Sequence, residues 1–356
     1  MNPIVKEDLQ RICAQDIAWD KLKDAAVLVT GASGMVGTYF VRTVLALNET
    51  RKMNATVICV VRNPKKIPED IANNPAVTIV AHDVSKPMVY DGKVDYIIHA
   101  ASPASPLIMR EDPVGTIAAN TLGAFYTLSL AKEKNAKGYM FISSREIYGQ
   151  PDENQEFFYE NTYGLVDPLD ARSCYPEGKK AAETMCASFH KQYGLNTKIA
   201  RLAHTYGPGM SIYDGRVQAD FLKNVLFNED IVLKSDGSSV RTYTYIADAI
   251  AGMWRILLNG EELAYNIGDE NGKVSIRELA ELLVKINPEK HLKLRMRTQD
   301  VHRLPWESYR VNACASLVGN HLTQLKKDLQ ELYVIWSMKK QTEDYNNLSL
   351  IAAMIL

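Results

Sequence analysis

The chain has 356 residues, enough to bury a full core in two domains or in one domain with a lobe. Its net charge of −1, with both signs interspersed, leaves no basic face for a nucleic acid, and the reading finds no apolar run of membrane-spanning length. The five cysteines are scattered and odd in number, without metal-type pairing, and the start is charged where a secretory leader would be apolar. Together these predict a cytoplasmic protein with reduced thiols and no metal.

Residues 1–25 form an amphipathic lead-in around Trp19. Ala26-Val-Leu-Val-Thr30 then reads as a buried strand, Gly31-Ala-Ser-Gly34-Met-Val-Gly37 as a turn, and 39–47 as an apolar-periodic helix. Strand patterns follow at 56–61, 77–81 and 94–99. A helix over 113–134 precedes a strand at 138–143, and a helix over 176–193 precedes one at 196–201. Short apolar strands separated by helices predict an α/β fold, a Rossmann-type doubly wound parallel sheet over 26–203. A return segment near 240–258 belongs with it. Between 204 and 300 the rhythm loosens into loops, and a smaller C-terminal substrate lobe is expected there. Within that lobe Ser275-Ile-Arg-Glu278 has the form of a capping box opening a helix. The tail, 301–356, matches no pattern, and its apolar closing stretch reads as a docked or frayed terminus.

Two motifs carry chemistry. A glycine turn between a strand and a helix suits a dinucleotide, because the helix N-terminus offers unpaired N–H groups to a pyrophosphate and glycine lets it approach. At the end of the second strand no acid follows; Val61-Arg62-Asn63 stands there with Lys65 and Lys66 behind. Arg62 would suit a 2′-phosphate and hence NADP, or it is simply solvated while Asn63 or the backbone serves the ribose of NAD. The second motif is Tyr175-Pro-Glu-Gly-Lys179, whose ends share a helix face. An ammonium beside a phenol favours the phenolate, which can take a proton from a sugar hydroxyl as a nicotinamide takes the hydride.

With Ser143-Ser144 on a strand between them, these motifs resemble the extended short-chain dehydrogenase/reductases over roughly 25–290. Four further runs resemble the UDP-glucuronate decarboxylases within that family: His99-Ala-Ala-Ser-Pro-Ala-Ser-Pro106, Ala171-Arg172-Ser-Cys-Tyr175, Ala182-Glu-Thr-Met-Cys186 and Asp214-Gly-Arg216-Val217. The resemblance implies catalytic roles for Ser144, Glu146, Tyr175 and Lys179. It implies cofactor contacts from Gly31, Ser33, Gly34, Met35 and Gly37, from Arg62, Asp83, Val84 and Ala100, and from Tyr175 and Lys179. Asp83 would meet the adenine, though capping a turn is an equally simple role. Substrate contacts fall to Ser102, Arg145, Arg172, His204, Arg216 and Arg241. Asn120 matches the family's structural asparagine. NAD as cofactor, a nucleotide-diphosphate sugar as substrate and a homodimer built on the two long helices are further implications.

In Ser144-Arg145-Glu146 the family's dehydratases carry an Asp-Glu pair, whose aspartic acid protonates the departing hydroxyl. Arg145 replaces that acid. It could meet a substrate carboxylate, Glu146 or solvent. His204-Thr-Tyr-Gly-Pro-Gly209 departs from the relatives' Asn and Arg at its first and last positions, and a Leu-Gly-Trp-x-Pro segment is missing. The reading is an NAD-dependent enzyme converting UDP-glucuronate to UDP-xylose through a 4-keto intermediate. A 4,6-dehydratase, a 4-epimerase, an NADPH-dependent 4-ketoreductase and a non-catalytic dinucleotide sensor stand as alternatives.

Overall fold

All five residues of Ala26–Thr30 are buried, and successive side chains enter two different cores. Val27 and Val29 join one core, Ala26 and Leu28 the other, as a strand covered on both faces requires. The computed structural model describes residues 1–150, 157–270, 272–286, 293–296 and 325–332.

The described elements run α1 (Pro3–Cys13), β1 (Ala26–Thr30), α2 (Met35–Arg51), β2 (Thr56–Val61), α3 (Glu69–Ala72), β3 (Val77–Ala81), β4 (Tyr96–His99), α4 (Pro106–Glu111), α5 (Pro113–Glu133) and β5 (Gly138–Ser144). The second half contains α6 (Cys174–Tyr193), β6 (Thr197–Leu202), β7 (His204–Tyr206), α7 (Val217–Phe227), β8 (Ile231–Leu233) and β9 (Val240–Tyr245). After these come α8 (Ile246–Asn259), β10 (Ala264–Ile267), β11 (Lys273–Ser275), α9 (Ile276–Ile286) and β12 (Leu294–Met296).

Seven strands form one parallel sheet in the order β10-β6-β5-β4-β1-β2-β3. Chain order reverses at β1, which pairs with β2 on one side and β4 on the other, leaving a crevice at the strand ends where such folds bind ligands. Helices α1, α2 and α8 bury Leu9, Phe40 and Trp254 against one face, and α5 and α6 bury Leu128 and Ala182 against the other. This is the Rossmann-type doubly wound sheet that the alternation predicts. Within 204–300, β7 and β11 flank β9 in a small sheet, β8 pairs with β12, and β10 returns to the main sheet beside β6. Ser275 and Glu278 form a reciprocal capping box, each side chain accepting from the other's N–H at 2.8 and 3.1 Å.

One expectation is corrected. Helix α5, 21 residues long, is by length and composition apolar enough to cross a membrane, although the sequence reading found no such run. Its small and polar residues explain the miss: Thr116, Asn120, Gly123 and Thr127 are buried where it packs on the sheet and on α6, and dilute the pattern. Four cysteines (Cys13, Cys59, Cys174 and Cys186) are free and buried; Cys314 lies outside the described residues. So does the tail apart from 325–332, where a helical turn buries Leu325, Leu329 and Leu332 in the core that α1 and α8 share.

Candidate active site

The carboxyl end of β1 is built to let backbones meet. Gly31 has φ +65, and a Cβ there would stand 2.8 Å from the Ala100 carbonyl oxygen and the Ala101 Cα, so the turn closes on the loop after β4. A Cβ on Gly37 would fall 2.2 Å from the Gly31 oxygen. Gly34 is the N-cap of α2, with no side-chain cap and no acid in the first turn, so the positive end of a 17-residue helix faces the turn. Ser33 and Met35 flank it, both half-buried. A cradle that side chains would fill, at an uncapped helix N-terminus, fits a dinucleotide pyrophosphate. Thr30 Oγ1 accepts from Ala101 N at 3.2 Å and lies 2.9 Å from His99 Nδ1, and burial together with the Lys179 charge pushes His99 down to about 3, keeping it neutral.

Arg62 and Asp83 follow the paired strands β2 and β3, at the edge of this crevice. Arg62 is exposed. Asp83 Oδ1 accepts from Ser85 N and Oγ at 3.0 and 2.8 Å; those bonds, with the nearby Arg62 charge, lower its carboxyl below the usual value. Asp83 therefore caps a turn here. Val84 is buried against α5 beside Gly123, and Ala100 and Ser102 line the loop after β4. The Ser102 hydroxyl and Asn120 Oδ1 are buried without a hydrogen-bond partner.

On the other side of that loop, β5 ends at Ser144, and α6 presents Tyr175 and Lys179 one turn apart, both buried. Lys179 Nζ donates to the Ile142 carbonyl at 2.6 Å and lies 4.7 Å from the Phe141 ring centre and 5.6 Å from that of Tyr175. The expectation that lysine lowers the phenol is not met. Burial first, and then the Glu146 charge, push Tyr175 up to about 12, against a hydrogen bond with Ser144 and the charges of Arg216 and Arg172. Burial also brings the Lys179 ammonium down to about 7, and its proton goes to a carbonyl instead of the phenol.

Glu146 takes both oxygens to Arg172 Nη2, at 3.1 and 2.9 Å. Arg172, expected on the substrate, thus fixes a carboxylate next to Tyr175. Arg216 is held by Asp214 through Nε and Nη2, and Ser105 Oγ donates to the Asp214 carbonyl at 2.8 Å, tying the loop after β4 to the N-terminus of α7. On the small sheet His204 of β7 stands in register with Tyr243 of β9, its ring 5.6 Å away. Burial and the charges of Arg145, Arg241 and Arg216 hold His204 neutral, well below its usual value, with Nδ1 unpartnered. The charges of three guanidinium groups thus bear on one half-buried imidazole, beside the Tyr243 ring. Such a cluster attracts a polyanion such as a diphosphate with a carboxylate.

Sequence reasoning missed the charged group behind the lysine: Glu183 and Arg201, joined to Ser143 and Tyr148. Its signal was a third ionisable position, four residues past Lys179 on the same helix face. Among the described residues no group of three or more His, Cys, Asp or Glu could hold a metal ion.

The NAD dependent epimerase/dehydratase family matches residues 27–268. Two curated relatives, UDP-glucuronic acid decarboxylases 2 and 6 of Arabidopsis thaliana, are each 34% identical, over 286 and 275 residues. Those alignments cover 79% and 77% of this chain; they span 61% of the length of the first relative and 78% of the second. Among solved structures, a UDP-glucuronic acid 4-epimerase from Bacillus cereus, in complex with UDP-glucuronic acid and NAD, superposes with a TM-score of 0.69 at 20% identity. It covers 88% of this chain and 99% of its own.

Proposed function

This chain belongs to the NAD dependent epimerase/dehydratase family, and we propose that within it the protein decarboxylates UDP-glucuronate to UDP-xylose, with NAD retained through the cycle. The observation that carries this reading is the end of β5. There Ser144 and Glu146 flank Arg145, so the carboxylate is present and the acid needed for dehydration is not.

The glycine turn, the start of α2 and the loop at Ala100 would hold the dinucleotide, with Lys179 on its ribose. When bound, its nicotinamide supplies a hydride acceptor and donor for C4 of the sugar. Tyr175, in its phenolate form, takes the proton of the C4 hydroxyl, and Ser144 hydrogen-bonds the C4 oxygen. The resulting 4-keto-uronic acid is a β-keto acid, so loss of CO2 leaves an enolate in place of a bare carbanion. Glu146, fixed by Arg172, and Arg241 orient the carboxylate and handle the proton that replaces it. Arg216 and Arg145 face the anionic remainder of the substrate.

We further propose a homodimer through α5 and α6. Val114, Leu122, Phe125 and Tyr193 are all more than 40% exposed there, and Phe125, Phe189 and Tyr193 form an edge-to-face ladder. A second catalytic reading, an NADPH-dependent 4-ketoreductase, is favoured by exposed Arg62 with Lys65 and Lys66 behind it. The test offers UDP-glucuronate and dTDP-glucose in parallel. Release of CO2 from the first with little keto sugar from the second supports decarboxylation. Efficient dehydration of dTDP-glucose overturns it, and consumption of external NADPH with a keto sugar moves the assignment to the reductase.

A further inference from the structure

Strand β7 is three residues long and lies at the edge of the small sheet, paired on one side with β9. Three ladder positions hold such a strand weakly by themselves. Two parts of the arginine cluster nevertheless depend on it. His204 opens the strand, and the Thr205 carbonyl accepts from Arg216 Nη1 at 3.3 Å, the nitrogen of that guanidinium that Asp214 does not take. The last residue, Tyr206, is buried with its ring against those of Tyr243 and Tyr245. Tyr206 stands in register with Tyr245 of β9, and each hydroxyl ends on an aspartate from outside the family match at 27–268. Tyr245 donates to Asp8 Oδ2 at 2.9 Å, and Tyr206 to Asp328 Oδ2 at 2.8 Å. Asp328 is only 2% exposed, on a turn whose Leu325, Leu329 and Leu332 are buried in the core. The leucines suffice to dock that turn; burying a carboxyl among them costs folding energy unless its bond is wanted.

We propose that Asp328 is a positioning residue for the substrate: through the Tyr206 hydroxyl it fixes β7, and with β7 the Thr205 carbonyl that aims the Arg216 guanidinium. This rests on the functional reading above, in which Arg216 faces the anionic part of a nucleotide sugar. Every link from the C-terminal turn to the site is a hydrogen bond or a peptide unit. Asp328 accepts from Tyr206, whose neighbour Thr205 accepts from Arg216. Arg216 is held by Asp214, and the Asp214 carbonyl accepts from Ser105 on the loop after β4 at 2.8 Å. Without the Tyr206 bond, β7 can shift along β9 and Arg216 loses one of its three anchored nitrogens. The other two stay on Asp214, so the charge remains in the site and binding weakens without vanishing. The cofactor cradle belongs to β1, α2 and the loop after β4, in the main sheet, and does not rest on β7.

The test is calorimetric titration of UDP into the whole protein saturated with NAD. Tyr206→Phe keeps the ring against Tyr243 and Tyr245 and removes the hydroxyl, so the fold stands even if changes at Asp328 are less well borne. It should weaken UDP binding roughly tenfold while NAD affinity stays within about twofold. Asp328→Ala should do the same. Asp328→Asn keeps an acceptor for the hydroxyl and should restore UDP binding to within about threefold of the wild type. The route through the arginine is read from a double-mutant cycle. Arg216→Ala weakens UDP binding by itself, and adding Tyr206→Phe to it should cost nothing further. Wild-type UDP affinity in Tyr206→Phe, an equal loss of NAD affinity, or the full loss repeated on top of Arg216→Ala overturns the proposal. A wild type that binds NAD but no UDP overturns the nucleotide-sugar reading, and this inference falls with it. UDP bound without release of CO2 from UDP-glucuronate overturns the decarboxylase assignment alone.

Discussion

Asp8 is a buried carboxylate with two tyrosine donors, Tyr39 at 2.7 Å and Tyr245 at 2.9 Å, both on Oδ2. Burial outweighs those bonds and the Arg11 charge, and raises it to about 7; Asp248, also beside Arg11, is raised to about 6. A carboxyl whose folded value lies above its unfolded one favours folding when protonated. Its contribution is complete below about 4 and is lost as pH climbs through about 7. Asp8→Asn keeps an acceptor for both tyrosines and removes the titration. Its melting temperature should therefore vary less than the wild type between about pH 5 and about 8, and exceed it at the upper end. Identical pH slopes would refute this. At the reacting centre, Tyr175→Phe should remove nearly all turnover while NAD affinity stays within a few-fold, since the ring remains and the proton acceptor goes. Retained turnover would mean another base. Ser144, Tyr175 and Lys179 were legible because their chemistry is written in local spacing. The partner of Glu146 was not, for Arg172 is 26 residues away and its pairing depends on how α6 meets β5.

Among the elements, the junction of β1 and α2 is the most constrained. Alanine is ordinarily worth about 1 kcal/mol more than glycine inside a helix. At Gly37 the order should invert, because the added carbon would overlap the Gly31 oxygen and push α2 off the turn. Gly37→Ala is expected to lower the melting temperature and weaken NAD binding at least tenfold, read by thermal unfolding and calorimetry; a neutral effect on both would show that the turn yields. Six strands of the main sheet announce themselves as apolar runs between helices. The seventh, β10, reads Ala-Tyr-Asn-Ile, and its buried Asn266 is explained by distant partners, the Tyr148 hydroxyl and the Phe158 carbonyl among them. The capping box at Ser275 was legible for the opposite reason, being complete within four residues.

For the molecule as a whole, the exposed ladder on α5 and α6 is the surface that a second copy would cover. Phe125→Glu should turn a dimer into a monomer in sedimentation velocity without lowering the melting temperature of the protomer by more than a few degrees. A monomeric wild type would remove this interface from the account. The segments outside the family match also belong to the fold: α1 and the turn at 325–332 bury Leu9, Ile12, Leu325 and Leu329 in one core. Through Tyr206, whose hydroxyl donates to Asp328 at 2.8 Å, that core reaches β7, the strand that also carries His204. The central claim is the reaction, and carbon-13 NMR of the purified protein with UDP-glucuronate labelled at the carboxyl carbon tests it most directly. The account predicts that label appears as CO2 and bicarbonate while unlabelled UDP-xylose accumulates, with Glu146→Gln and Arg241→Ala each slowing both strongly. Label that stays in the sugar, whether epimerised or unchanged, would contradict it.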